Sequence, residues 1–145
     1  MTDLTECARL HQAAFPNRRA WSVGEFADFQ NDPLVDFVYT DHGFAIVRTL
    51  IDEMEVVTIA VDPAHHRTGQ GRQLIHHVVH QAKATSCQAI FLEVKADNVA
   101  ATALYTAFGF ARVGLRRAYY ADLSGKKHDA MVMRLDLSTD SVRQT

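Results

Sequence analysis

Apolar residues recur along this chain with two different periods, and the switches between them outline its elements. Leu4, Cys7, Ala8, Leu10, Ala14 and Phe15 roughly follow one face of a helix, with Thr2 or Asp3 placed to cap it and Pro16 to stop it. Ser22 followed three residues on by Glu25 is a capping box, so a second short helix runs through Phe26 and Phe29. Trp21 then stands at its staple position, where it either packs or touches a ligand. Phe37 to Thr40 and Phe44 to Ile51 are strand-like around an Asp41-His42-Gly43 turn, and Glu53 to Val61 is a third strand ended by Asp62-Pro63.

After Pro63 a polar turn carries Gly69 and Gly71. Leu74, Ile75, Val78, Val79 and Ala82 then recur at helical spacing over Arg72 to Ala84. Glycines let a backbone bend tightly and approach a ligand closely, and the unpaired N–H groups of a helix start favour an anion such as phosphate. An ordinary turn into an ordinary helix is the alternative. The spacing fits neither a Walker loop nor a G-x-G-x-x-G dinucleotide loop.

Ala89 to Lys95 is the next strand, with Ile90, Leu92 and Val94 on one face. The strand-helix-strand order predicts a parallel pair with a right-handed crossover. A helix follows through Ala100, Ala101, Ala103, Leu104 and Phe108, with Asn98 as its cap and Gly109 as its stop. Phe110 to Tyr120 and Lys127 to Leu137 are two last strands joined by the Asp122 to Lys126 turn. The whole predicts an α/β fold, a mixed sheet of about six strands with helices on both faces.

Composition narrows the function without identifying it. The chain has 145 residues, 48% hydrophobic and 22% charged, which fits one globular domain over residues 1–137 with a disordered tail at 138–145. No signal peptide or membrane-length apolar run is present, so a soluble cytoplasmic protein with no membrane or nucleic-acid partner is expected. Net charge is −2, yet residues 1–63 hold 11 acidic and 4 basic side chains (−7) and residues 64–145 hold 6 and 11 (+5). An anionic ligand would favour the second half and a cationic one the first. Cys7 and Cys87 read as buried small hydrophobes in a helix and a strand. His76, His77 and His80 fall on the polar side of their helix with no completing ligand nearby, so no metal is expected.

T-I-A-V-D-P at Thr58 to Pro63, R-T-G-Q-G-R at Arg67 to Arg72, L-E-V-K-A-D-N at Leu92 to Asn98, Leu104-Tyr105, Gly109-Phe110, R-x-x-Y-Y ending at Tyr120 and a closing A-M-V-M-R-L strand occur in that order. This series resembles the GCN5-related N-acetyltransferases (GNAT), and among them the bacterial enzymes that acetylate the N-terminal alanine of a ribosomal protein. The likeness runs from about Trp21 to Leu135. It implies the GNAT fold, in which the strand at Val56 to Val61 and that at Ala89 to Lys95 splay to leave a cleft for acetyl-CoA. It also implies that the backbone of Ile59, Ala60 and Val61 pairs with the pantetheine arm, and that Arg67, Thr68, Gly69, Gln70, Gly71 and Arg72 hold the pyrophosphate. Asn98 would contact the cosubstrate, Glu93 would be the general base and Tyr105 the proton donor. His66 stands where the family usually has arginine or glutamine, Ala20 replaces a common proline, and a first strand looks missing or very short.

Read without the resemblance, Glu93 is a solvent-facing residue of an alternating strand and Tyr105 a packing aromatic. With it, the acceptor is a protein N-terminus, for which Trp21 and the Arg116 to Tyr120 stretch would form opposite walls of an open groove. A small amine such as a polyamine, amino acid or antibiotic is the alternative acceptor, and a non-catalytic acyl-CoA-binding regulator is the rival of another class.

Overall fold

Each predicted element forms, and most are bounded by the signals that announced them. The computed structural model describes residues 3–137; the tail expected at 138–145 lies outside the described residues. Helix α1 (Leu4–Ala14) starts at Asp3, whose carboxylate accepts from the Thr5 N–H. Helix α2 (Val23–Asn31) opens with the reciprocal capping box of Ser22 and Glu25. Trp21 lies against Phe26, ring centroids 5.7 Å apart, as a staple does. Strands β1 (Val35–Thr40), β2 (Gly43–Leu50) and β3 (Glu53–Val61) form an antiparallel meander. Helix α3 (Gln70–Ala84) crosses to β4 (Ala89–Lys95), and α4 (Val99–Ala107), β5 (Ala111–Ala121) and β6 (Lys127–Asp136) complete the chain. Asn98 caps α4 by accepting from the Ala101 N–H, and Gly109 follows it at φ 98°, a conformation that favours glycine.

The six strands stand in the order β1-β2-β3-β4-β6-β5, with β3 and β4 parallel as predicted. That pairing is short. Glu53–Val56 face Ala89–Leu92, and beyond them the two strands separate. Just there β3 carries a bulge: Val47 faces Val56 but Ile46 faces Thr58, leaving Val57 as the extra residue. One added residue reverses which side chains point to which side of a sheet. Met54 and Val56 therefore pack with Leu74, Ile75 and Val78 of α3, whereas Ala60 packs on the opposite face with Cys7, Leu10, Phe26 and Phe44. The helices thus cover both faces, over two separate apolar clusters.

Both cysteines are free and buried, Cys87 in the turn before β4 rather than in the strand. His76, His77 and His80 are exposed along α3. No described helix is long and apolar enough to cross a membrane.

His11, which the apolar pattern passed over, is the histidine that the core takes in. It is 2% exposed, its ring stacks on Trp21 at 4.2 Å, and Nε2 lies 3.2 Å from the Thr58 hydroxyl. Burial, reinforced by the nearby Arg18 charge, pushes its pKa down to about 4. The unfolded chain, with histidine near 6.5, binds more protons than the folded one between these two values. Stability is then full above pH about 6.5 and declines as pH falls toward about 4, by roughly 3 kcal/mol for this group. We expect His11→Phe, which keeps an aromatic stack but cannot be protonated, to lose less stability than the wild type between pH 7 and 4.5 in urea titrations. Equal losses in the two proteins would exclude His11 as the cause.

Candidate active site

The separation of β3 from β4 opens a cleft of about 560 Å³ through the middle of the sheet. Its β3 wall runs from Val57 to Val61, whose backbone on that side pairs with no strand among the described residues. Ile59 and Val61 turn half-buried side chains toward the α3 side, while Ala60 is buried on the other face and is not among the residues that line the cleft.

At the end of β3, a short turn of 3-10 helix at Pro63–His65 is capped by the Asp62 carboxylate, which accepts from the Ala64 N–H. Arg67 and Gly69 then take left-handed backbone conformations, φ 66° and 84°. Gly69 is the N-cap of α3 and supplies no side-chain acceptor, so the first N–H groups of the helix keep their donor capacity at the cleft. Gly71 serves another purpose: a Cβ there would lie 3.1 Å from Leu104 Cδ2, on the facing wall. Arg67 and Arg72 are exposed beside the turn, and the Arg72 guanidinium lies 5.5 Å over the Phe108 ring.

Two of the residues implied for the pyrophosphate stand differently from their neighbours. Thr68 is exposed, donates its hydroxyl to the His65 carbonyl and does not line the cleft. Gln70 borders the cleft, but its side-chain carbonyl faces the β1–β2 turn, accepting from the Thr40 hydroxyl (2.7 Å) and the His42 N–H (3.1 Å). Its side-chain oxygen is therefore taken, and what it keeps for a ligand is its backbone and its amide NH2. Asn98 lines the cleft with its carbonyl oxygen committed to capping α4, which leaves its amide NH2 as a donor.

Glu93 and Tyr105 meet in this cleft, from β4 and α4. The Glu93 side chain is 25% exposed, and its Oε2 is buried without a hydrogen-bond donor. The Arg116 guanidinium from β5 is ion-paired with that same oxygen, a contact of charge rather than a directed hydrogen bond. Glu93 is therefore not the solvent-facing residue that strand alternation alone suggests. Tyr105 is 9% exposed and packs against Phe110, and burial, with a smaller contribution from Tyr120, pushes its pKa up to about 12.

The acceptor side differs from the sequence expectation. Trp21 does not line this cleft; it lies in the aromatic cluster with His11, Phe26 and Phe29. The wall facing Tyr120 is formed instead by Phe15 and Arg18 at the end of α1. The Arg18 guanidinium sits 4.6 Å from the Phe15 ring centroid and 4.3 Å from that of Tyr120. The Asn17 carbonyl accepts from the Leu123 N–H at 3.0 Å, tying the α1–α2 loop to the β5–β6 turn. Nothing in the linear pattern brings residue 18 to residue 120, so this part of the site was illegible before folding.

With this geometry in hand, three comparisons place the chain. The family model described as the acetyltransferase (GNAT) family matches residues 4–110. The ribosomal protein bS18-alanine N-acetyltransferase of Escherichia coli K12 is 37% identical over 143 residues, covering 94% of this chain and 93% of that protein. The N-alpha-acetyltransferase RimI of Mycobacterium tuberculosis is 38% identical, over 92% and 87% respectively. The crystal structure of the Escherichia coli ribosomal-protein-S18-alanine N-acetyltransferase superposes with a TM-score of 0.82 at 33% identity, covering 94% of this chain and 88% of that one. A split mixed sheet, a glycine turn opening a helix on the cleft, and this degree of identity along nearly the whole length agree: the chain belongs to the acetyltransferase (GNAT) family.

Proposed function

We propose that the chain transfers the acetyl group of acetyl-CoA to the α-amine of a protein N-terminus, of the ribosomal-protein-alanine kind that its relatives' names describe. The observation that carries this reading is the convergence of Glu93 and Tyr105 on one cleft that also holds an unpaired strand edge and an open helix start. Those features fit acetyl-CoA: the β3 edge at Ile59, Ala60 and Val61 offers backbone partners to an amide-bearing arm. The N–H groups from Gly69 to Gly71, with Arg67 and Arg72, suit a pyrophosphate. Acetyl-CoA supplies an activated thioester.

The chain's own residues supply proton handling. An α-amine with pKa near 8 is about a tenth neutral at pH 7, whereas a lysine amine near 10.4 is well under a thousandth neutral, so a modest base suffices for an N-terminus. Glu93 accepts the amine proton directly or through one water. Tyr105, with a pKa near 12, is a far weaker acid than a thiol near 8.5, which favours a hydrogen bond to the departing sulfur over full proton transfer. Against a small polyamine acceptor stands the cleft lining, in which Glu93 is the one carboxylate among the described residues. A distal ammonium would have no partner there. Against a purely regulatory module stands the pairing of a carboxylate with a phenol, which binding alone does not require.

Gly71→Glu, whose side chain would meet Leu104 and place a negative charge at the turn, is expected to weaken binding of free CoA at least about tenfold by calorimetry. Unchanged affinity in a folded variant would rule out this placement. Glu93→Gln is expected to lower kcat at pH 7 by about a hundredfold while acetyl-CoA affinity stays near wild type. Up to about tenfold should return by pH 9 as the amine loses its own proton. Wild-type turnover at pH 7 would remove Glu93 from the role. For the acceptor, alanine-initiated peptides should exceed alanine amide and free polyamines in kcat/KM, because contacts remote from the amine help to hold it in place. The reverse ranking would leave an acetyltransferase with a different substrate.

A further inference from the structure

Glu93 borders two cavities rather than one. Besides the cleft it shares with Tyr105, it lines a trough of about 380 Å³ together with Phe91, Glu53, Arg48 and Val132. Arg116 lines this trough and is absent from the lining of the cleft. The guanidinium therefore approaches Glu93 from the side away from the cosubstrate. The oxygen it engages, Oε2, is the one withdrawn from solvent. A carboxylate gripped through one oxygen from behind has its other oxygen free to point forward.

Resting on the assignment of Glu93 as the base, we propose that Arg116 is the positioning residue of this enzyme: its ion pair fixes Oε2, sets the plane of the carboxylate and leaves Oε1 to take the amine proton. Arg116 suits this role in two ways. It comes from β5, across β6 from β4, so it is held by a ladder independent of the seam at which β3 and β4 part. Its own orientation is set by the Tyr119 ring, whose centroid lies 5.3 Å from the guanidinium carbon. Without the guanidinium, Oε2 would be a buried carboxylate oxygen with no counter-charge, and the side chain would rotate to rehydrate it, turning the base away from the acceptor. Arg116 touches neither the acetyl group nor the amine in this arrangement. It acts through Glu93 alone.

The test is a double-mutant cycle on the full-length protein with acetyl-CoA and an alanine-initiated peptide, folding being checked by circular dichroism. Arg116→Gln is expected to lower kcat about tenfold, leave both KM values within about twofold, and cost less than about twofold further when introduced into Glu93→Gln. Arg116→Lys, which keeps the charge without the planar fork, should recover part of the lost kcat. The same fold-loss in both backgrounds would overturn the positioning role while leaving Glu93 as the base. So would a rise in acceptor KM at unchanged kcat, which would make Arg116 an acceptor contact. A Glu93→Gln variant that turns over like the wild type would instead overturn the base assignment, and this inference with it.

Discussion

Four residue pairs of parallel ladder join the two halves of this sheet, and the molecule is arranged around the place where they stop. Backbone N–H and C=O groups in the middle of a sheet are obliged to find partners. Parting β3 from β4 beyond Val56 and Leu92 withholds them over several residues. The bulge at Val57 falls at the same point, so the wall of the cleft and the change of face in β3 have one origin. Helix α3 lies across the seam, burying Leu74, Ile75 and Val78 against strands from both halves, and its first turn emerges at the cleft. One helix both holds the halves together and presents an open N-terminus at the gap between them.

The second apolar cluster fixes the other side of the site. Phe26, Trp21, Phe44 and the neutral His11 hold α1 against the sheet, and α1 ends in Phe15 and Arg18 at the cleft. A protonatable ring inside an aromatic cluster is a costly choice that packing alone does not demand. Its Nε2 lies against the hydroxyl of Thr58, a residue of the cleft wall, so the same ring links α1 to β3 where β3 has lost its neighbour on one side.

Much of this was legible in the sequence because local signals fix local structure. Ser22 with Glu25, Asn98 and Gly109 set helix ends through contacts within a few residues, and element boundaries fell within one or two positions of their expected places. The motif order placed Glu93 and Tyr105 in one cleft with most of the glycine turn. Contacts between distant segments were not legible. Alternation alone made Glu93 solvent-facing and gave no sign of its ion pair with Arg116. The resemblance implied six ligand contacts along the glycine turn, yet the Gln70 side-chain carbonyl is claimed by Thr40 and His42, thirty and twenty-eight residues upstream. Trp21 satisfied a staple and a substrate wall equally well as a pattern. Its packing among His11, Phe26 and Phe29, away from the cleft lining, shows the staple.

The unpaired edge of β3 has a thermodynamic side as well as a geometric one. Any molecule that bonds to that edge binds the folded chain and not the unfolded one, so it enters the folding equilibrium by mass action, adding about 2.7 kcal/mol when present at a hundred times its dissociation constant. The ladder left incomplete by the chain is then completed by a diffusible strand, and the protein's resistance to unfolding becomes a function of what the surrounding solution supplies.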